Sequence, residues 1–317
     1  AAVKYGVYYN NWSRRDYIHS FTSDRIFLRH DTIERTYCEL LANKDPDTHI
    51  HDLIGTKLWK FIQKNEVSLD SNEQPHSWHF DAGKFKIFLK KFLKKNNKII
   101  FFEDTIIDCK FSFGDTIEYI VGESNKKYTA DYFVNCCGDN DLNQKIFKEE
   151  YESLSQYLLT NKALVYPLKY TNKRDQFHPY TVAKTMKNGW RWITPTQSRI
   201  GTGYVFSNNH ISEDEAVHEF LTDIGDHTLT PNVVDFYPKY NKRCFRKNWC
   251  TIGMSQGFLE PLDAPGLTIT AQTIVEYLHN AIQYKNIVSN YNYMINEYNS
   301  LIEKKHLLWM SFILCQY

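Results

Sequence analysis

The succession of patterns between residues 84 and 140 constrains the fold most. KFKIFLKKFLKK (84–95) places Phe85, Phe88, Leu89 and Phe92 on one helical stripe with lysines opposite. That is the period of a helix that buries one face and solvates the other. Packing on a core is expected, with a membrane-surface helix as the alternative. Three strand patterns follow, KIIFFE (98–103), IIDCKFSF (106–113) and TIEYIVG (116–122), with FGD (113–115) as the turn between the last two. ADYFVNCCGDN (130–140) then reads as a fully apolar strand running into a glycine turn. A helix, a small meander and an apolar strand together describe the buried sheet of an α/β core. A buried strand that simply ends in a turn fits residues 130–140 equally well, and these residues alone leave both readings open.

Residues 160–210 alternate in strand fashion and end in RIGTGYVFS. Ser212 with Glu215 then forms a capping box ahead of EDEAVHEFL, because each side chain can satisfy a backbone N–H the helix start leaves open. Beyond GMSQGFLEPLDAPG (253–266), helical patterns run over about 268–283 and 287–308. No internal repeat and no Pro/Gly/Ser linker divides the chain. The expectation is one interwoven body of mixed α and β over residues 1–317, long enough to bury a substantial core.

Charge is balanced, 38 basic against 37 acidic side chains, so no global field favours nucleic acid or an anionic membrane. No apolar run approaches a bilayer span; LLWMSFIL near the end is too short, and no secretory signal is present. Cysteines at 38, 109, 136, 137, 244, 250 and 315 show neither C-x-x-C nor zinc spacing, which reads as free thiols in a reducing cytoplasm. His49 and His51 lack a third ligand at a known metal-site spacing, so no metal is expected. Aromatic residues at 15% favour flat-ligand pockets slightly, and codon bias explains them as well.

GWRWITP (189–195) is the densest aromatic motif. Strand alternation points Trp190 and Trp192 the same way, and Pro195 stops the run. In isolation a structural core accounts for both rings. Their company points elsewhere. The stretch GWRWITPTQSRIGTGYVFS and, further on, WCTIGMSQGFLEPLDAPGLTI closely resemble the flavin-dependent tryptophan halogenases. The family signature W-x-W-x-I-P reads Trp190-Arg191-Trp192-Ile193-Thr194-Pro195, with Thr in place of Ile. The box F-x-x-P-x-x-S-x-G reads FLEPLDAPG, keeping Phe258, Pro261 and Gly266 with Ala264 in place of Ser. AVKYGVYYNNW (2–12), YIHSF (17–21), WHFDA (78–82), DYFVNCCG (131–138) and NKRCFRKNWC (241–250) match in family order, so the resemblance runs nearly end to end.

The resemblance implies an α/β body of the FAD-binding aromatic hydroxylase and halogenase type, with a mostly parallel sheet, an antiparallel sheet and flanking helices. It implies that reduced FAD and O2 turn halide into hypohalous acid, which reaches a lysine beside an indole or similar arene. By position that lysine is Lys4, eight residues before Trp12. An amine there can form a haloamine or polarise hypohalous acid. The partner carboxylate falls at Asp263, placed to orient the halogenating species and take the arene's proton. His19 and Phe21 match pocket residues for a flat arene. Trp190 and Trp192 fall beside the flavin, screening it from substrate, and Gly253, Met254 and Leu267 fall at the cofactor. Pro265 and Gly266 fall in the halide loop. A separate flavin reductase supplies reduced flavin in such systems, and a homodimer is a candidate assembly. The plain alternatives are an exposed lysine, a turn aspartate, and core His and Phe.

The chain also departs from the family. G-x-G-x-x-G occurs nowhere, and GTG (201–203) lacks the third glycine and precedes a strand pattern. By position the family's glycine turn lies before residue 1 and its helical cover beyond Tyr317. The sequence is therefore expected to be part of a longer polypeptide, or its ordered part. Pro265 lacks an N–H, and a lost charge-assisted hydrogen bond costs about 1.5–3 kcal/mol. Chloride, being more strongly hydrated, suffers most, so bromide or iodide is the expected halide. The competing class is a non-catalytic relic that binds an aromatic ligand or a protein partner. A hydroxylating monooxygenase is disfavoured by the paired tryptophans and Lys4.

Overall fold

The structure, a computed structural model, describes residues 1–12, 16–20, 76–138, 142–148, 151–282 and 291–317. In chain order the elements are β1 (Ala2–Lys4), β2 (Gly6–Asn10), β3 (Tyr17–Ser20), β4 (Ser77–His79), α1 (Ala82–Leu93), β5 (Ile106–Phe111), β6 (Ile117–Gly122), β7 (Lys127–Tyr128), β8 (Phe133–Asn135), α2 (Leu142–Phe147) and β9 (Glu152–Ser153). There follow β10 (Lys162–Leu168), α3 (Lys173–Gln176), β11 (Thr181–Met186), β12 (Gly189–Pro195), β13 (Ile200–Phe206), α4 (Glu213–Ile224), β14 (Asn232–Asp235), β15 (Lys239–Tyr240), β16 (Phe245–Arg246), β17 (Trp249–Thr251), β18 (Gly257–Phe258), α5 (Pro265–Glu276) and α6 (Tyr291–Leu314). Two compact units emerge, each assembled from two chain segments: residues 1–99 with 162–234, and residues 100–161 with 235–317.

The first unit is built on a seven-stranded sheet in the order β14-β10-β13-β12-β11-β2-β3. The alternating stretch 160–210 supplies its centre, where β10, β13, β12 and β11 run antiparallel in turn. β2 then joins β11 in parallel and pairs β3 antiparallel. GTG, expected ahead of a strand, lies inside β13. One face is covered by α4, with Leu164, Tyr204 and Phe206 of the sheet against Ala216, Phe220 and Leu221 of the helix. Each large side chain so buried contributes about 1.5–3 kcal/mol. The capping box is present as expected: Ser212 Oγ accepts from Glu215 N, and the Glu215 carboxylate accepts from Ser212 N.

α1 departs from expectation. The helix forms, with Asp81 as its N-cap, but none of its residues is buried. Phe85, Phe88 and Phe92 stack along it and stand 43%, 59% and 60% exposed. The helical period says which residues share a face; it does not say what is placed against that face.

In the second unit three small sheets have the orders β5-β6-β7, β16-β17-β8 and β18-β15-β9. β5 and β6 form the antiparallel pair expected around the FGD turn, while residues 98–103, expected as a strand, have no regular structure. A β-rich sequence becomes a strand only where a partner edge accepts its ladder. The apolar run 130–140 yields the short strand β8, parallel to β17 and at the end of its sheet. Phe133 and Asn135 are buried, but Val134 is 47% exposed, so the strand is covered on one face only. Phe133, Leu142, Ile146 and Trp249 pack with Ile117. A second cluster joins Cys244, Phe245, Cys250 and Ile252 to Tyr277, Tyr298 and Ile302. The mixed α and β class is as expected. Among the described residues, β2 with β11 and β8 with β17 pair in parallel. No described helix is long and apolar enough to cross a membrane.

Candidate active site

In the first unit, β12 places Trp192 opposite Ala183 of β11, and Ala183 opposite Tyr9 of β2. Trp190 lies opposite Thr185. Because alternate residues of a strand share a face, Tyr9, Thr181, Ala183, Thr185, Trp190 and Trp192 all look the same way. The indoles of Trp190 and Trp192 have centroids 6.2 Å apart at 59°. Trp12 stands against Trp190 at 6.1 Å, and Tyr9 meets Trp12 edge-on at 5.0 Å. The expected common orientation of Trp190 and Trp192 is therefore present, extended by Trp12 and Tyr9 into a continuous aromatic wall.

Lys4 ends β1, which pairs with β4 so that Lys4 faces Ser77 and Ala2 faces His79. This register makes Lys4 and His79 diagonal neighbours on one face, within reach of long side chains. Both are buried, at 7% and 4% exposure. Burial, with a smaller contribution from the positive charge of Lys4, pushes His79 down to about 3, so its ring is neutral across the working range. His79 Nε2 lies 2.9 Å from Thr181 Oγ1, and Thr181 is on the face that carries the tryptophans. The ribbon holding Lys4 thus sits on the same side of the sheet as the aromatic wall. A solvent-exposed lysine is excluded at this position.

His19, on β3, pairs with Val7 of β2 and is half-buried. Phe21, His49 and His51 lie outside the described residues.

In the second unit, Asp263 and Ala264 have φ of 58° and 56°, two consecutive non-glycine residues in the left-handed region. Each such residue costs about 1 kcal/mol or more and persists where the surroundings over-determine it. Ala264 N donates to Pro261 O at 2.9 Å. Three residues before Asp263, the buried Glu260 accepts from Thr160 Oγ1 at 2.8 Å and from Tyr317 Oη at 2.7 Å. This anchored loop delivers the chain directly into α5, with Pro265 as the first helical residue. The remaining N-terminal N–H groups without an intrahelical acceptor are those of Gly266 and Leu267. Nothing lies within 4 Å of where a Gly266 side chain would be, and Leu267 is exposed.

Gly253 opens a 3-10 turn, Gly253–Ser255, at φ 74°, a conformation that favours glycine. Ser255 Oγ donates to Gly138 O at 2.8 Å, and Ile252 N to Asn135 O at 2.9 Å, so the turn is held at the carboxyl end of β8. Met254 projects outward. A side chain at Gly253 would come within 3.9 Å of Thr270 Oγ1 of α5. Backbone N–H groups of a glycine turn and of a helix's first turn are donors that a flat, carbonyl-rich ring such as a flavin's takes. Gly253, Met254 and Leu267 are the residues that would hold FAD here.

Lys4, His19, Trp190 and Trp192 thus belong to the first unit, and Gly253, Met254, Asp263, Pro265, Gly266 and Leu267 to the second. Sequence reasoning assigned no role to Trp12, Tyr9 or His79. Their motifs, YYNNW and WHFDA, were visible, but their meeting with Trp190 and Lys4 depends on the pairings β2–β11 and β1–β4.

Residues 1–317 match the family model "Tryptophan halogenase" over their whole length. Tryptophan 7-halogenase RebH of Lentzea aerocolonigenes is 31% identical over 217 residues, 64% of this chain and 41% of its own. Tryptophan 6-halogenase ThaL of Streptomyces albogriseolus is 29% identical over 195 residues, 61% of this chain and 37% of its own. The chain therefore spans about two fifths of the length of such relatives. A flavin-dependent halogenase from Xanthomonas campestris superposes with a TM-score of 0.85 at 22% identity, covering 100% of this chain and 63% of that one. A tryptophan halogenase from Shewanella frigidimarina NCIMB 400 does so at 0.86 and 20%, covering 100% and 62%. The fold is that of these enzymes, and the match over every residue from 1 to 317 makes this chain a member of the tryptophan halogenase family.

Proposed function

We propose that the complete polypeptide is a FAD-dependent halogenase acting on an indole or similar electron-rich arene. The observation that carries the reading is the burial of Lys4 on the face of the sheet that bears the Trp190–Trp192 wall. Bound FAD supplies the oxidising chemistry that converts halide to hypohalous acid. Lys4 receives the halogen as a haloamine or polarises hypohalous acid as a donor. The wall keeps the arene from the flavin, leaving the amine as its route to halogen. Asp263 orients the halogenating species and removes the proton from the cationic arene. His19 and Phe21 line the arene pocket. Reduced flavin comes from a separate reductase, and a homodimer in the reducing cytoplasm belongs to the same proposal.

The halide follows from α5. With Pro265 at its first position, only Gly266 and Leu267 offer N–H groups to an anion there. Losing one donor weakens a chloride site by roughly tenfold to a hundredfold, so bromide or iodide is preferred. The test is a competition assay on the complete polypeptide with FAD, a flavin reductase, tryptophan and equal chloride, bromide and iodide, read by product mass. Brominated or iodinated product is expected, and predominantly chlorinated product would overturn the preference. Lys4→Ala should give no halogenated product while flavin reoxidation by O2 continues; halogenation by that variant would remove Lys4 from the mechanism. The same loss of a donor at Pro265 favours a second reading, a non-catalytic relative that keeps an aromatic-ligand site. Failure of the folded polypeptide to take up FAD, seen as no yellow absorbance, would select it.

A further inference from the structure

Gly203 sits within β13, opposite Trp192 on β12 and Val165 on β10. The described glycines with positive φ are Gly114, Gly138, Gly225 and Gly253, so the backbone at 203 does not call for glycine. Space does. A Cβ built there would fall 2.1 Å from Cη2 and 2.2 Å from Cζ2 of Trp192, and 2.2 Å from Leu164 O. Carbon atoms in good contact stand about 3.5–4 Å apart. The six-membered ring of Trp192 therefore rests on bare backbone, an aromatic ring filling the gap a strand glycine leaves. Gly201, on the same face of the same strand, differs. The nearest atoms to its Cβ would be Thr194 O at 3.7 Å and Arg199 Nη1 at 3.9 Å, ordinary contacts.

We infer that Gly203 is the positioning residue of the Trp192 ring: its missing side chain sets how far that indole stands out from the sheet. It thereby sets the clearance in front of the wall for a flat cofactor or substrate. Trp190 is 3% exposed and held by Trp12, whereas Trp192 is only half-buried, so a methyl group at 203 displaces Trp192 relative to Trp190. The inference rests on the proposed reading of the wall as a partition between flavin and arene.

Two indoles at 6.2 Å and 59° couple in circular dichroism, as do Trp12 and Trp190 at 6.1 Å, so the Trp190–Trp192 couplet is read as the difference between the parent spectrum and that of Trp192→Phe. Gly203→Ala, Gly201→Ala and Trp192→Phe would be made in the complete polypeptide, with thermal melting as the folding check. Gly203→Ala is expected to weaken or invert the couplet, and Gly201→Ala to retain it. The ratio of halogenated to hydroxylated product should fall about tenfold in Gly203→Ala alone, since a misplacement of about 1 Å caused by a mutation remote from the chemistry can cost up to a hundredfold. A folded Gly203→Ala protein with an unchanged couplet would overturn the inference. Should Gly203→Ala fail to fold, the double variant with Trp192→Phe, which lacks the two clashing atoms, decides. Recovered folding supports the inference; continued failure assigns the obstacle to the Leu164 carbonyl and overturns it. Trp192→Phe alone tests the partition: unchanged products would end that reading, while a lost couplet in Gly203→Ala would still leave Gly203 its role.

Discussion

Arg191, the middle letter of W-R-W, shows what one residue decides. With Trp190 and Trp192 on one face of β12, strand alternation sends Arg191 to the other. There its Nη1 lies 2.7 Å from Asp223 Oδ2 of α4, its Nε donates to Thr202 Oγ1 at 3.0 Å, and Lys184 Nζ reaches Asp223 Oδ1 at 2.5 Å. Burial raises the Asp223 carboxyl, but hydrogen bonds and charge from Lys184 and Arg191 outweigh it and hold the group below its ordinary value. A depressed carboxylate pKa stabilises the fold above the unfolded value of about 3.9, and that contribution is lost as pH falls through the folded value. Asp223→Asn leaves Arg191 buried beside a neutral amide, so it should destabilise by about 3 kcal/mol at neutral pH. It should also flatten the acid limb of stability. Urea unfolding from pH 7 downwards measures both, and an equal acid slope in variant and parent would contradict the argument. The face each side chain takes was legible from the sequence. The identity of the carboxylate that meets Arg191, 32 residues away, was not.

Elements were legible in proportion to how local their determinants are. α4 begins where its capping box lies because both partners sit within one turn, and Gly225 closes it in the left-handed conformation. Ser212→Ala removes the side-chain acceptor at Glu215 N and should cost about 1 kcal/mol. That would appear as a lower urea midpoint with an unchanged slope, and a cost below the error of the measurement would show the cap to be redundant. Residues 98–103 carry strand composition but lack a ladder, and α1 carries an amphipathic stripe with no buried residue. In both cases the missing information is the neighbour. α5 starts at Pro265 rather than near 268, since proline's fixed φ suits the first helical position and the left-handed pair before it turns the chain in.

At the scale of the molecule, the proposed catalytic residues belong to different units: Lys4 to the one that holds the seven-stranded sheet, Asp263 to the one that holds α5. Groups that serve one reaction step lose rate non-additively. Lys4→Arg combined with Asp263→Ala should therefore lower kcat no further than the worse of the two single variants does, measured on the complete polypeptide with an external reductase. Losses that multiply would assign the two residues to separate steps. The sequence by itself determined the family through ordered motifs, the shared face of Trp190 and Trp192, and the cap of α4. These follow from strand alternation, helix-end chemistry and residue identity, each fixed within a few positions. Only the tertiary structure decided that Lys4 is buried diagonally from His79, that Trp12 and Tyr9 extend the wall, and that Trp192 lies on Gly203. The pairing of Lys4 with Ser77 and the ring contact of Trp12 with Trp190 span sequence separations of 73 and 178. A period of two or 3.6 residues specifies the face a side chain takes, and the packing of distant segments specifies what it meets there.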